Sequence, residues 1–304
     1  MDFPTIINRI YIFMGCFVCV LAFTFLTIAI VYRRRCFNFP TLLACNTILA
    51  TFLYSCDNVA VAVYMLIWDQ QSLSEIDSLC SLRAYIHHST IAGIHHSFIL
   101  QAMEKYFKIK RINFLHNRKR QVLVVLIQWI FDFTFSIPIF LTGNMPKLSS
   151  DNLCFISLTR LYLLLYMVTI SFLVSDITLA ILYRRLLNHV REISSRVHAH
   201  QQNQMRRDLI VVRRIILLNS QLALVGVAVL TVVILSVIRV DILPSKWMRP
   251  LLLAVNVVLC PMITILFWFT PNLRESLVAL LNKRFCQTAV NHNRVVPATE
   301  GARF

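Results

Sequence analysis

The sequence predicts an all-α membrane protein, a bundle of seven transmembrane helices with a short amphipathic eighth helix on the inner membrane surface. Of its 304 residues, 58% are hydrophobic and 14% are charged, a composition typical of membrane proteins rather than soluble domains. Seven runs of predominantly apolar residues are each long enough to cross a bilayer, which takes ~20 residues for ~30 Å of hydrocarbon. A shorter segment with leucines on one side and charges on the other follows the seventh run.

Each run is expected to form one helix. The first run is too long for a cleaved signal peptide and ends at the basic cluster Arg33–Arg35, so we expect it to remain as a helix. The third run contains four histidines and is the least apolar, which favours a place at the centre of the bundle, away from lipid. The predicted helices are Ile10–Tyr32, Pro40–Ile67, Arg83–Tyr106, Gln121–Leu141, Leu161–Tyr183, Leu209–Ile238 and Pro250–Phe269.

The net charge of +16 is distributed unequally between the two sides of the predicted bundle. Of the 30 lysines and arginines, 23 fall at the helix ends, loops and tail of one side. Such asymmetry predicts that this side is cytoplasmic, with the N-terminus extracellular and the C-terminus in the cytosol, as in a multi-pass plasma membrane protein. It favours anionic inner-leaflet lipids as partners and gives no reason to expect nucleic-acid binding.

The nine cysteines do not form a metal-binding framework, and we expect no metal and no cofactor. Two of them, Cys80 and Cys154, fall on the predicted outer, oxidising side. There they are expected either to form a disulfide or to remain as two free thiols.

Several residues fall at the positions of a known family. Cys80 lies 24 residues before the triplet Glu104-Lys105-Tyr106, about 36 Å along a helix and so one membrane crossing. This arrangement resembles the third helix of class A (rhodopsin-like) G-protein-coupled receptors. Further anchors of that family are matched by Trp129 and Pro138 in segment four, Cys154 in the second outer loop and Pro261 in segment seven.

The resemblance implies a receptor that transmits the binding of an unidentified extracellular ligand, a peptide or a small molecule, to a heterotrimeric G protein. It implies a Cys80–Cys154 disulfide over the ligand pocket, and coupling residues at Glu104, Lys105, Tyr106, Asp208 and Pro261. Residues 1–270 would form the receptor bundle, residues 271–286 the juxtamembrane helix with Cys286 as a lipidation candidate, and residues 287–304 a short disordered cytoplasmic tail.

The sequence also departs from the family pattern at its switch residues. Lys105 replaces the usual arginine and lacks its planar, five-donor guanidinium. Phe52 stands where the family has a sodium-binding aspartate, and Cys260 and Thr264 flank Pro261 in place of the usual asparagine and tyrosine. The alternative is therefore a receptor-like protein that no longer signals and serves as a decoy or trafficking partner, or, with less support, a small transporter.

Four polar residues within the runs are candidates for the ligand pocket. Ionisable groups inside a membrane face a cavity or a partner, so Asp57 and Asp132 are expected either to line an outer cavity or to form interhelical hydrogen bonds. His87 and His88 are the histidines nearest the outer end of segment three and are pocket candidates, unless they are simply satisfied interior side chains.

At the inner end, Asp208 is expected at the foot of segment six. It either pairs with Lys105 to hold an inactive state or caps its own helix. No nucleophile elbow, metalloprotease helix or pair of catalytic carboxylates is present, so we expect no enzyme activity and no catalytic residue.

Overall fold

The computed structural model describes residues 3–32, 38–71, 79–110, 112, 117–148, 151–156, 160–194, 199–238 and 246–280. The elements in these ranges are α-helices, one π-helical turn and one small hairpin. The α-helices are α1 (Phe3–Val31), α2 (Phe39–Gln71), α3 (Cys80–Ile109), α4 (Arg118–Thr134), α5 (Ile137–Leu141), α6 (Leu161–Val168), α7 (Val174–Ser194), α8 (Ala199–Ile238), α9 (Met248–Trp268) and α10 (residues 271–280). The strands β1 (Lys147–Leu148) and β2 (Leu153–Cys154) pair antiparallel.

Six candidate membrane spans among the described residues identify an all-α, multi-pass membrane protein. They are long and apolar enough to cross a bilayer, and many of their large apolar side chains remain exposed on the outside of the bundle, where lipid would cover them. The spans are Pro4–Val31, Phe39–Gln70, Arg118–Leu141, Leu161–Glu192, Leu209–Val232 and Met248–Trp268.

Helix α3 is not among those six spans and lies in the middle of the bundle. Most of its side chains between Arg83 and Glu104 are buried against α2, α4, α7 and α8. Because other helices cover it, its surface does not have to be apolar. The central position predicted from its histidines is confirmed.

The two ends of the bundle differ in the residues that they carry. We call the end that carries Cys80 and the hairpin the disulfide end. We call the opposite end, where lysines and arginines cluster at positions 105–120 and 213–214, the basic end.

Two of the predicted helices are interrupted. The segment predicted as Gln121–Leu141 breaks at Phe135 and Ser136, because Pro138 has no backbone N–H to continue the hydrogen-bond ladder and instead occupies the start of α5. Between α6 and α7, residues Thr169–Leu173 form a π-helical turn. The extra residue in such a turn changes which side chains the following helix directs toward the core.

The polar segment Arg184–Asp208, predicted as a loop, is largely helical. Helix α7 continues to Ser194 and α8 already begins at Ala199, ten residues before the predicted start of segment six. Helix formers such as Arg, Leu and Gln dominate both extensions, and they lie beyond the apolar runs that were used to predict the helices.

Residues 271–280 form the described part of the predicted juxtamembrane helix. Pro271 is at its first position, where a missing N–H is tolerated, and Leu273 is buried while Arg274 and Glu275 are exposed. Residues 281–304, including Cys286 and the predicted tail, lie outside the described residues.

The packing of α1 on α2 predicts a cross-link. The Sγ atoms of Cys19 and Cys56 are 3.3 Å apart near the middle of these helices. Oxidation with copper–phenanthroline in membranes should therefore join them, and trypsin cleavage at Arg33–Arg35 should then leave the two fragments linked on a non-reducing gel.

Cys19→Ser and Cys56→Ser are each expected to abolish this link, whereas Cys16→Ser should retain it as the matched control. Fragments that separate with both cysteines intact would show that α1 and α2 pack differently.

Candidate functional site

The hairpin forms a lid over the disulfide end. Cys80, the first residue of α3, forms a disulfide with Cys154 of β2, with Cα atoms 5.4 Å apart, so the predicted pairing is present. Leu153, Phe155 and Ile156 are buried, which shows that this part of the chain packs against the end of the bundle. We call residues 147–148 and 151–156 the lid.

A buried ion pair holds the lid and two helix ends together. The guanidinium of Arg249, only 1% exposed, donates to both carboxylate oxygens of Asp69 at 2.5 and 2.9 Å, and also to the backbone carbonyl of Asp151 at 3.1 Å. Lys246 and Asn152 approach the same carboxylate at 3.2 and 3.0 Å. The pair thus connects the end of α2, the lid and the start of α9, and sequence reasoning missed it.

A small cavity of about 70 Å³ lies beneath the lid. His87 and His88 line it, as predicted, and the ring of Phe155 from the lid lies 4.9 Å from the His88 ring. The other wall residues are Tyr54, Ile91, Leu164, Met167, Val168, Ser171, Phe172, Leu222, Gly226, Val229, Leu230, Leu252 and Val255.

Asp57 does not line this cavity, contrary to the first of its two predicted roles. Its Oδ2 atom lies 3.4 Å from Nδ1 of His87 and forms no hydrogen bond with any described residue. The Tyr54 ring packs 4.8 Å from the His87 ring. Asp57 therefore lies next to a wall residue, His87, and does not itself line the cavity.

Asp132 does not line the cavity either and takes the second predicted role, interhelical hydrogen bonding. It is fully buried, pairs with Nδ1 of His96 and accepts a hydrogen bond from Nε2 of Gln128 at 3.0 Å. Gln128 also donates to the Gly93 carbonyl and accepts from Asn46. This network fixes α2, α3 and α4 to one another.

The close approach of α4 to α3 depends on Gly93. A Cβ atom at this position would lie 3.3 Å from Oδ2 of Asp132, tighter than ordinary contact. The glycine therefore leaves room for the buried carboxylate.

Below the cavity, a second polar group joins α3, α7 and α8. Asn219 donates to the Asp176 carboxylate, and the buried His95 ring packs edge-on against Phe172 at 4.6 Å. Neither ring nitrogen of His95 has a hydrogen-bond partner among the described residues. Phe172, in the π-helical turn, thus contacts both this group and the cavity.

A larger cavity of about 330 Å³ opens at the basic end. Glu104 and Lys105 line it and form an ion pair of 2.9 Å, whereas the pairing expected for Lys105 was with Asp208. Arg214 also lines it, with its guanidinium 4.0 Å from the centre of the Phe269 ring. The remaining wall residues are Asn38, Pro40, Thr41, Leu43, Ala44, Gln101, Val211, Ile215, Leu218, Leu266, Thr270, Pro271 and Asn272.

The other three predicted coupling residues are Asp208, Tyr106 and Pro261. Asp208 lies ten positions into α8, too far from its N-terminus to cap it, so the capping role is wrong; its side chain lies outside the described residues. Tyr106 packs against the core beside the cavity, under the ammonium of Lys110 at 5.2 Å. Pro261 lies inside α9 without ending the helix.

The site therefore consists of a small, mostly apolar cavity at the disulfide end and a larger cavity with charged lining residues at the basic end. Among the described residues, no group of three histidines, cysteines or carboxylates could hold a metal ion. The chain matches no protein-family model, and no curated protein is significantly similar to it.

Mutations of the buried ion pair test its role in stability. Asp69→Asn should lower stability by about 3–5 kcal/mol, because it leaves the buried guanidinium of Arg249 without a counter-ion. Arg249→Gln should cost less, because Lys246 and Asn152 still contact the Asp69 carboxylate. The apparent unfolding temperature of the purified protein in detergent measures the effect.

The double variant Asp69→Asn/Arg249→Gln should cost clearly less than the sum of the two single changes. Additive effects would show that the two side chains stabilise the protein independently.

Proposed function

We propose that this protein is a seven-helix receptor that transmits the binding of an extracellular ligand at the disulfide end to a heterotrimeric G protein at the basic end. The main support is that the two cavities share helices α2, α3, α8 and α9. Helix α3 contributes His87 to the first cavity and Glu104 to the second, and α8 contributes Gly226 and Arg214. A ligand at one end therefore acts on helices that also form the wall at the other end.

In this proposal α3 is the seventh span. Its 30 residues are about 45 Å long, enough to cross the membrane, and its polar side chains are covered by neighbouring helices. The excess of lysine and arginine at the basic end favours a cytoplasmic location for it and an extracellular N-terminus, in the plasma membrane.

Helix α10 is proposed to lie along the inner membrane surface as the eighth helix. The buried Leu273 and the exposed Arg274 and Glu275 support an amphipathic arrangement. Arginines and lysines of the basic end would attract anionic lipids and steer an acidic surface of the G protein.

Signalling requires that the ligand bind one of two helix arrangements more tightly than the other, since equal affinity shifts no equilibrium. Phe172 is well placed to respond, because it contacts the ligand cavity on one side and His95 on the other. In this proposal a displacement of Phe172 is transmitted to α8 through the hydrogen bond between Asn219 of α8 and Asp176 of α7. Movement of α8 would open the cavity at the basic end.

The direct experiment is ligand-dependent nucleotide exchange on co-expressed G proteins of each class. We expect a broad panel of small molecules and peptides to include compounds that raise exchange. If no compound raises nucleotide exchange on any G-protein class, the result would contradict signalling and favour the receptor-like protein that no longer signals.

The Glu104–Lys105 ion pair supports that second candidate, because Glu104 binds the ammonium group that replaces the family's arginine.

Glu104→Gln removes the partner of Lys105 and should raise basal exchange at least about twofold, since even an exposed pair contributes ~0.5 kcal/mol and these side chains are only 10–13% exposed. Glu275→Gln, an exposed carboxylate at the same end, is the matched control and should leave basal exchange unchanged.

Asp208→Asn tests the alternative pairing of Lys105 with Asp208. An increase in basal exchange supports that lock. Unchanged basal exchange in an otherwise responsive receptor would contradict it.

A further inference from the structure

The cavity at the disulfide end has a wall without charged side chains. None of its described lining residues is Asp, Glu, Lys or Arg, and only Tyr54, His87, His88 and Ser171 are polar. The carboxylate of Asp57, 3.4 Å from His87, is not among the lining residues. A ligand with a full charge would therefore lose its hydration here without gaining a counter-ion from the wall, which is unfavourable.

One polar atom in this wall has no partner. The buried Nε2 atom of His88 forms no hydrogen bond with any described residue, although the His88 ring packs closely against Phe155 and His87. A buried polar atom left unsatisfied is unfavourable, so a ligand that hydrogen-bonds it binds better than an apolar ligand of the same shape. A hydroxyl suits both neutral tautomers of the ring, because it can donate or accept.

The size of the cavity limits the ligand further. At about 70 Å³ it has roughly half the volume of an engineered cavity of about 150 Å³ that accommodates benzene. A ring-sized ligand therefore fits only after a small displacement of the rings of Phe155 or Phe172. A folded peptide would require the lid to leave altogether, against the disulfide and the Arg249–Asp69 pair.

We propose that the natural ligand is a small, uncharged, mainly apolar molecule with one hydroxyl or similar hydrogen-bonding group, which contacts Nε2 of His88. This inference rests on the proposed function only in taking the cavity as a ligand site. It replaces the open choice between peptide and small molecule with one chemical class.

The test is direct binding to the purified full-length protein in lipid nanodiscs, without G protein. Four probes of similar size separate the effects of a hydroxyl group, an apolar ring, a negative charge and a positive charge on affinity: phenol, toluene, benzoate and benzylammonium. Saturation-transfer NMR gives the relative affinities. Phenol should bind about tenfold more tightly than toluene, because the hydroxyl satisfies His88. The two ions should show no binding at the concentrations at which phenol saturates.

His88→Phe keeps a ring in the wall but removes both nitrogens, and should reduce phenol affinity to that of toluene. Tyr162→Phe, which removes an exposed hydroxyl of α6 away from the cavity, is the matched control and should bind like the unmodified protein. Gly226→Ala places a Cβ 3.2 Å from the Phe172 ring and should weaken phenol and toluene together by narrowing the cavity.

Equal affinity for phenol and toluene, binding of either ion as tight as that of phenol, or no binding of any probe would each overturn the inference. The comparison of probes on the unmodified protein decides this even where a variant does not fold. Phenol binding without any ligand-dependent nucleotide exchange would contradict the proposed signalling and leave the ligand class intact. Exchange driven by a ligand that does not compete with phenol would contradict the ligand class alone.

Discussion

The structure depends on the need to satisfy the polar side chains of one central helix. Inside hydrocarbon no water is present to accept or donate hydrogen bonds, so polar groups must find partners within the protein. On α3, Ser89 bonds to Ser136 and Ser97 bonds to Thr47, each at 2.7 Å, and Gln101 donates to the same Thr47 at 2.7 Å. These bonds fix α2 and the α4–α5 segment around α3. The apolar helices then supply the surface that faces lipid.

The two ends of the bundle differ because the same constraint is met in different ways. At the disulfide end, a buried cation, a carboxylate and the lid satisfy one another, and the cavity there has no charged side chain among its described lining residues. At the basic end, Lys105 and Arg214 stand around a wider cavity with an ion pair and a ring contact. In the proposed function, the apolar cavity suits a small molecule, whereas the charged cavity suits contact with a protein.

The helices were predictable because lipid requires long apolar runs, and the central place of α3 followed from its histidines. The network around Asp132 could not be predicted, because Asn46 and its partner Gln128 are 82 positions apart and only packing brings them together. The π-helical turn and the helical extensions of α7 and α8 leave no signature in the apolar pattern. Of the two places left open for each residue, His87 and His88 take the cavity wall, whereas Asp132 takes the interhelical hydrogen bonds and Asp57 does not line the cavity. The sequence could not choose between these places, since it gives depth along a helix and not the direction of a side chain.

The Asp69–Arg249 pair also has a consequence for the order in which the molecule is completed. Its two partners are separated by 180 positions, and Arg249 belongs to the last of the membrane-spanning helices to be synthesised. Until α9 inserts, Asp69 and the backbone carbonyl of Asp151 lack the guanidinium that joins them, although the Cys80–Cys154 bond and the Asn152–Asp69 hydrogen bond already tie the lid to the bundle. Completion of the disulfide end is therefore a late event of biogenesis, and a chain truncated before α9 would lack the buried guanidinium that pairs with Asp69.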